Sequence, residues 1–275
     1  MTTLIDTSDY SNAFAFMPSL SLAELQERTP AAFASEASPR TKQTYRFIST
    51  AEVLSALFDA GFEPSEAQQT RSRAGSNPTY ARHMIRLRMA RENLTLVDAI
   101  PNVILAASHD GTAAWTMLAG LWRSVCSNGL CCRIGDLGFI RVPHRKSIVT
   151  DVVSGALQII AQFDRIGATV RGMAARVLTM DEQLNFARDA FNIRWAKADT
   201  RPSFDPQKLL QVRRTADDHP TLWHVYNRVQ EGAMAGGLHY QGPNRLVTTR
   251  KIRNIREYIR INTALWGAAV QLLEA

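Results

Sequence analysis

His109, Asp110 and His144 are the residues of this chain whose types and spacing could move a proton. Histidine has an ordinary pKa close to neutrality, and a nearby carboxylate can orient its ring. Such a set would suit an enzyme that acts on a nucleic acid or a nucleotide. However, Asp110 precedes Gly111, and Asp-Gly is typical of a tight turn, where Asp bonds its own backbone. We therefore expect turn and network roles for His109, Asp110, Asn128 and Asn227, and we assign no catalytic residue.

The three cysteines offer a second possible chemistry. Cys126 could be a thiol nucleophile with His109 or His144 as base and Asn128 as orienting group. Cys126, Cys131 and Cys132 lack the spacing of a zinc finger, and their apolar context favours buried, inert thiols. The sequence also lacks a phosphate-binding G-x-x-x-x-G-K-[ST] loop and a G-x-G-x-x-G dinucleotide motif. We expect no metal and no cofactor.

Positive charge is distributed unevenly along the chain. The first 70 residues hold nine acidic and four basic side chains, a net of −5, so the other 205 must carry +12 to reach the total of +7. Residues 71–91 contain six arginines and no acid, and residues 245–260 contain six Lys or Arg and one Glu. Clustered arginine is typical of proteins that bind polyanions, because the planar guanidinium pairs with phosphate oxygens.

Two elements are expected to carry these cations. The side chains of residues 81–89 alternate between a mainly apolar face and a mainly basic one, which predicts a half-buried strand with a basic outer face. Residues 249–273 have a helical period, which puts their arginines in a stripe about 120° wide. Tyr240, Tyr258 and Trp266 flank the second cluster and could stack on bases, although Trp266 fits the apolar face better. The predicted nucleic-acid contacts are Arg82, Arg86, Arg88, Arg245, Arg250, Lys251, Arg253, Arg256 and Arg260.

The pattern of the chain predicts an α+β fold, in which an antiparallel β-meander is packed by a long helix and followed by a mainly helical C-terminal portion. Strands are expected at 81–89, 94–100, 103–108, 112–119 and 139–142, with Asp110-Gly111 as a hairpin turn. Apolar residues step by three and four from Val149 to Val177, which predicts one continuous helix.

Other helices are expected at 21–28, 50–61, 179–197, 206–213, 221–234 and 249–273. Thr50 is the expected N-cap of the second, and Thr179 and Glu182 form a capping box. Residues 68–79 are polar and are expected to be mobile. The predicted organisation is an acidic, loosely ordered arm (1–45), a core of sheet and long helix (46–178), and a basic helical portion packed on the core (179–275).

Four motifs stand out together in this chain: SHDG at 108–111, RSVCSNGL at 123–130, WHVYNRVQE at 223–231 and RINTALW at 260–266. Together they resemble a family of uncharacterised proteins, a domain of unknown function common on phages and plasmids. The resemblance covers residues 45–275 and implies a mobile-element gene in a bacterial cytosol. It implies no mechanism, and it marks as family-motif residues of unknown role His109, Asp110, Asn128, His144 and Asn227.

We expect a phage or plasmid protein that binds single-stranded DNA through backbone phosphates and promotes strand annealing or recombination as a homo-oligomer without ATP. The predicted outline is similar to that of phage single-strand annealing proteins of the RecT and Redβ group. The alternatives are an enzyme that uses His109, Asp110 and His144, and a protein-interaction module that targets a host factor. No apolar run reaches the roughly 18 residues of a membrane span, and signal-peptide features are absent, so we expect a cytoplasmic protein without a membrane partner.

Overall fold

The computed structural model describes residues 19–43, 45, 47–71, 77–89, 97–123, 129–132, 139–142, 148–196, 201–242 and 244–275. The chain divides into two compact units. Unit 1 comprises Met1–Ser124 and Asp136–Phe163, and unit 2 comprises Val125–Gly135 and Asp164–Ala275. The predicted α+β class is confirmed, with an antiparallel sheet followed by helices.

In the described part of unit 1, five strands pair in an antiparallel sheet. In spatial order these are β1 (Phe62–Gln69), β2 (His83–Met89), β3 (Ala99–Ala107), β4 (Trp115–Arg123) and β6 (Phe139–Val142), while β5 (Gly129–Cys132) belongs to unit 2. The hairpin predicted at Asp110-Gly111 joins β3 to β4. Gly111 has a φ of +76°, and the Asp110 carboxylate accepts from the Thr112 N–H at 2.9 Å, as Asp does in such turns.

Strand β1 lies where the sequence predicts no strand. Its residues Glu63, Pro64, Ser65 and Glu66 are poor strand formers. Pro64 is tolerated because β1 is at the edge of the sheet, and the pairing with β2 is irregular between Pro64 and Glu66. The carbonyl of Pro64 accepts from the Leu20 N–H at 2.7 Å, so part of this edge is covered.

The described part of the acidic arm is packed rather than loose. Helix α1 (Leu22–Arg28) begins after Ser21, whose side chain forms a capping box with Glu24. A 3-10 helix, Pro30–Phe33, follows it. Leu25 and Ala31 are fully buried, and the Ala31 N–H donates to the side chain of Gln69 at 2.9 Å.

The predicted continuous helix is two helices. Helix α3 (Ile148–Ile160) packs with α2 (Thr50–Asp59) and with β3, β4 and β6 of unit 1. A turn at residues 161–162 ends it, since the Gln162 N–H bonds the Ile159 carbonyl three residues back instead of four. Helix α4 (Phe163–Ala175) then begins at the boundary between the units.

Unit 2 is mainly helical and surrounds α6 (Leu222–Ala235), which packs with α5 (Met180–Arg194) and α7 (Ile255–Glu274). The predicted capping box of Thr179 and Glu182 begins α5. The 3-10 helices Pro206–Leu210 and Thr215–Asp217 also contact α6. Because helices and loops enclose it on all sides, α6 buries polar residues along with apolar ones.

Helix α7 begins six residues later than predicted, at Ile255. Asn254 is its N-cap, and the Asn254 side chain accepts from the Glu257 N–H at 3.1 Å. Residues before the cap form a hairpin of β7 (His239–Gln241) and β8 (Leu246–Thr248), followed by an irregular stretch. In the described ranges, no helix is long and apolar enough to cross a membrane.

Candidate functional site

Among the described residues, the strongest concentration of available positive charge lies in unit 2, in residues 245–256, which we call the basic segment. It contains five cations and no acidic residue. All five side chains are exposed, and none has an ion pair or a hydrogen bond with a described residue. These cations are Arg245, Arg250, Lys251, Arg253 and Arg256.

The basic segment follows a different backbone path from the predicted one. Arg250, Lys251 and Arg253 precede α7, so they do not share a helical stripe with Arg256. They lie in the irregular stretch between β8 and α7, where the chain has no helical hydrogen bonds. The predicted stripe is therefore wrong for Arg250 and Arg253, although the exposure of all three side chains agrees with the predicted phosphate contact.

A glycine turn at the end of α6 holds the start of this stretch. The N–H of Gly237 donates to the Thr249 carbonyl at 2.9 Å, and the N–H of Leu238 donates to the Thr249 hydroxyl at 3.0 Å. The Ile252 N–H bonds the Met234 carbonyl of α6 at 3.0 Å. The backbone of the basic segment is thus fixed to the end of a buried helix, which pre-organises its cations.

Two further arginines support the same turn. Arg194 donates to the Ala233 carbonyl at 3.0 Å, and Arg213 donates to the Gly236 carbonyl at 2.8 Å. Helix C-termini present unpaired carbonyl oxygens and a partial negative charge, which cations stabilise. Part of the positive charge of unit 2 is therefore used to cap α6.

Arg260 has an ion pair and hydrogen bonds, unlike the cations of the basic segment. Its guanidinium pairs with Glu257 at 2.9 Å and donates to the Ile193 carbonyl near the end of α5 at 3.2 Å. Four of its five N–H donors are used in these contacts, although the side chain is 43% exposed. It is a weaker candidate for phosphate contact, because binding would compete with the Glu257 carboxylate.

The basic outer face predicted for β2 is not a solvated face at Arg86. Arg86 is fully buried, with Glu66 of β1 at 2.8 Å and the Asn102 side-chain oxygen of β3 at 3.0 Å. Burial of β2 extends to both faces as far as Leu87. A buried charge of this kind is retained because it is paired and hydrogen-bonded.

The other two predicted cations near β2 also have partners. Arg88 pairs with Glu63 at 3.2 Å and is 15% exposed. Arg82 donates to the Thr112 carbonyl of the β3–β4 turn at 3.1 Å. The structure therefore separates the two predicted clusters, since the arginines of β2 are paired and those of the basic segment are not.

The aromatic residues beside the basic segment are mostly buried or already in contact with other residues. Trp266 is fully buried, and the Tyr258 hydroxyl donates to the Gly129 carbonyl of β5. Tyr240 is half-buried against Phe204, with ring centroids 6.1 Å apart. Trp266 is therefore not placed to stack on a nucleobase, whereas Tyr258 is half-buried and its hydroxyl is hydrogen-bonded.

A second arrangement, in unit 1, joins two buried histidines through one hydroxyl. The Thr50 hydroxyl lies 3.0 Å from Nε2 of His83 and 3.0 Å from Nε2 of His109. The ring of His109 also contacts Phe47, with centroids 4.9 Å apart. Thr50, expected to be an N-cap, is free for this role because Ser49 caps α2 instead.

The direction of these hydrogen bonds follows from the chemistry of each atom. Nδ1 of His83 lies 3.1 Å from the Ala81 carbonyl, which can only accept, so this nitrogen carries the proton. Nε2 of His83 then accepts from the Thr50 hydroxyl, whose oxygen accepts from Nε2 of His109. Burial lowers the pKa of His83 to about 3 and that of His109 to about 4, in keeping with two neutral rings.

Asp110 does not pair with His109 but belongs to the turn. Burial raises the pKa of its carboxyl, but hydrogen bonds from Thr112 and Ser108 outweigh that effect and bring the pKa below its ordinary value. The Tyr45 hydroxyl donates to the Ser108 carbonyl at 3.1 Å, and burial raises the pKa of Tyr45 to about 12. These contacts agree with the expected turn and network roles.

Of the remaining family-motif residues, the structure describes only Asn227. Asn227 is buried in α6, where its amide donates to the Trp223 carbonyl at 2.7 Å and its side-chain oxygen has no described partner. Asn128, His144 and Cys126 lie outside the described residues. In the part of the chain that the structure describes, no three His, Cys, Asp or Glu side chains converge as a metal site would require.

Sequence reasoning missed Thr50, His83, Arg194 and Arg213, which hold these two arrangements together. Thr50 and His83 carry no motif, and only the fold brings them to His109. Arg194 and Arg213 carry no motif either, because they lie far along the chain from the end of α6 that they contact. The pair Gly236-Gly237 predicts the end of α6, but nothing in the sequence indicates that this turn supports the basic segment.

Comparisons with known proteins identify the family. The model described as domain of unknown function DUF932 matches residues 40–266. The UPF0380 protein YafZ of Escherichia coli (strain K12) is 35% identical over 257 residues, 92% of each chain, and the UPF0380 protein YfjQ of the same strain is 34% identical over 255 residues, 92% of each chain. No solved structure matches. The chain therefore belongs to the family of uncharacterised proteins that share the domain of unknown function DUF932.

Proposed function

We propose that this protein binds single-stranded DNA through its backbone phosphates and that the basic segment is the contact surface. The observation that carries the proposal is the set of five exposed cations without a described partner. Exposed arginines that are not neutralised locally attract an external polyanion, and guanidinium groups match phosphate oxygens.

The shape of the basic segment supports a single strand over a duplex. Proteins that read duplex DNA commonly place an exposed helix in the major groove. Here Arg250, Lys251 and Arg253 lie on irregular backbone, and α7 buries Ile255, Ile261 and other residues of one face. An extended basic stretch can follow a flexible, extended strand of phosphates.

The wider proposal is that the protein acts in phage or plasmid DNA recombination, as an oligomer that promotes annealing without ATP. It rests on the absence of an ATP-binding loop from the sequence and on the phosphate-binding surface. The enzyme alternative has less support, because His109 is held by Thr50 and Asp110 by its own turn.

The test is fluorescence-anisotropy binding to a labelled single strand and to the matching duplex, with particle size followed by light scattering. For five phosphate contacts on a single strand, we expect affinity to fall about 100-fold between roughly 50 and 200 mM salt. Tighter binding to the single strand, with large assemblies, would lead to a strand-annealing assay. Absent or salt-independent binding would contradict the proposal and favour a protein partner.

A further inference from the structure

Leu246, in strand β8 next to the basic segment's first cation, is an unusually exposed apolar side chain. It is 66% exposed, more than any other large apolar residue in the described ranges. Along β8 its neighbour Val247 is half-buried while Thr248 is exposed, so Leu246 points away from the body of unit 2. Exposed leucines are common singly, so its surroundings decide whether it has a role.

The hairpin that carries Leu246 is anchored rather than loose. The first strand of the hairpin, β7, accepts two hydrogen bonds. The Ser203 hydroxyl donates to the Gln241 carbonyl at 2.7 Å, and the Lys208 ammonium donates to the His239 carbonyl at 3.0 Å. At the turn, a Cβ on Gly242 would lie 3.0 Å from the Arg245 carbonyl oxygen, so glycine allows the tight reversal. The side chain of Leu246 is therefore exposed to solvent on a hairpin whose backbone is fixed.

The charge around Leu246 indicates what it would contact. From residue 239 to residue 256 the chain has five cations and no acid. An apolar group among unpaired cations suits a partner with phosphates and flat apolar surfaces, as nucleobases provide. An anionic membrane also combines these features, but a single leucine buries too little apolar area to insert a protein stably.

We propose that Leu246 packs against the bases of the single-stranded DNA whose phosphates the basic segment binds. The inference rests on the proposed function and adds base contact to it. Apolar contact with base faces is tolerant of sequence, because every base offers a flat apolar surface. The protein would then distinguish a strand with bases from a bare phosphate backbone.

The test compares an oligothymidylate with an abasic oligonucleotide of the same length, both fluorescently labelled, in anisotropy titrations of the full chain. We expect wild type to prefer the strand with bases. Leu246→Ala should weaken that binding about fivefold to tenfold and leave binding to the abasic strand unchanged. Leu22→Ala, which removes a leucine that is 61% exposed in unit 1, is the matched control and should change neither.

The outcomes separate this inference from the proposed function. If Leu246→Ala binds both strands as wild type does, or weakens both equally, base contact is refuted while phosphate binding stands. If wild type binds neither strand, both proposals fail. Loss of binding to phosphatidylserine–phosphatidylcholine vesicles by Leu246→Ala, with oligothymidylate binding unchanged, would also overturn the inference and assign Leu246 to a membrane surface.

Discussion

Gly236 lies directly against the peptide that joins Thr249 to Arg250. A Cβ on Gly236 would come within 2.5 Å of the Thr249 carbonyl oxygen and 2.7 Å of the Arg250 carbonyl carbon. Gly236 also has a φ of +72°, a backbone angle that residues with a side chain rarely adopt. The end of α6 and the start of the basic segment therefore approach as closely as the backbone allows.

Gly236→Ala should displace the basic segment. We expect a loss of roughly 1–3 kcal/mol in the free energy of unfolding, because both the close approach and the positive φ are violated. Binding to single-stranded DNA should weaken as well, since the cations lose their fixed support. Urea unfolding and anisotropy titration measure the two effects.

Gly267→Ala is the control for that substitution. Gly267 lies within α7, and an added Cβ would have no neighbour within 4 Å. Alanine should stabilise the helix by about 0.5–1 kcal/mol and leave DNA binding unchanged. If Gly236→Ala behaved like Gly267→Ala, the close contact with Thr249 would have no consequence.

The hydroxyl of Thr50 should be required for stability. Thr50→Val keeps the shape of the side chain but removes the group that bonds both His83 and His109, which leaves buried nitrogens unsatisfied. We expect a loss of roughly 2–4 kcal/mol, measured by urea unfolding near neutral pH. Thr50→Ser retains the hydroxyl and should recover most of the loss, and equal stability of the Val variant and wild type would show that the shared hydroxyl is unimportant.

Stability should fall on acidification below pH about 6.5. The folded chain keeps His83 and His109 neutral down to pKa values of about 3 and about 4, whereas both histidines take up protons near pH 6.5 when unfolded. The unfolded state then binds more protons, so the free energy of unfolding decreases as pH falls through this window, by about 1 kcal/mol per pH unit for each histidine.

Urea unfolding between pH about 7 and about 5 measures this dependence before most carboxyl groups titrate. The variant His83→Gln should show a weaker pH dependence than wild type, because its unfolded state takes up a proton at only one of these two positions. A free energy of unfolding that does not change over this range would contradict the neutral, buried state of the two histidines.

Arg86 and Arg253 should respond in opposite ways to the same substitution. Arg86→Gln removes a buried side chain that pairs with Glu66 and donates to Asn102, so it should cost roughly 1–3 kcal/mol in stability. Arg253→Gln removes an exposed, unpaired charge, so it should leave the melting temperature unchanged and weaken DNA binding. Thermal unfolding and anisotropy, compared for the two variants, check the assignment, and a binding defect confined to Arg86→Gln would reverse it.

Local signals in the sequence predicted local structure well. Asp110-Gly111 marks the hairpin because only the neighbouring backbone is involved, and the capping box of Thr179 and Glu182 likewise depends on four consecutive residues. The end of α6 was placed correctly for the same reason, since Gly236 adopts a positive φ that other residues avoid. Such features need no knowledge of distant parts of the chain.

Errors arose where a distant element changes the environment. Strand β1 has a polar sequence with a proline, so its strand identity comes from pairing with β2 and not from its own residues. The sequence does not predict β1, so it does not place Glu66 beside Arg86, and it predicts Arg86 as a nucleic-acid contact on a basic outer face instead of a buried, paired side chain. The turn at residues 161–162 likewise interrupts an apolar pattern that continues through it.

The salt dependence of binding tests the central claim most directly, namely that the cations of the basic segment contact phosphates. The measurement is the slope of log affinity against log salt for a single-stranded oligonucleotide, in wild type and in the triple variant Arg250→Gln, Lys251→Gln and Arg253→Gln. The slope should become shallower by about 2 on losing three phosphate contacts. The double variant Arg165→Gln and Arg171→Gln, which removes exposed cations of α4, should keep the wild-type slope. An unchanged slope in the triple variant, or an equal change per charge in the α4 variant, would contradict the account.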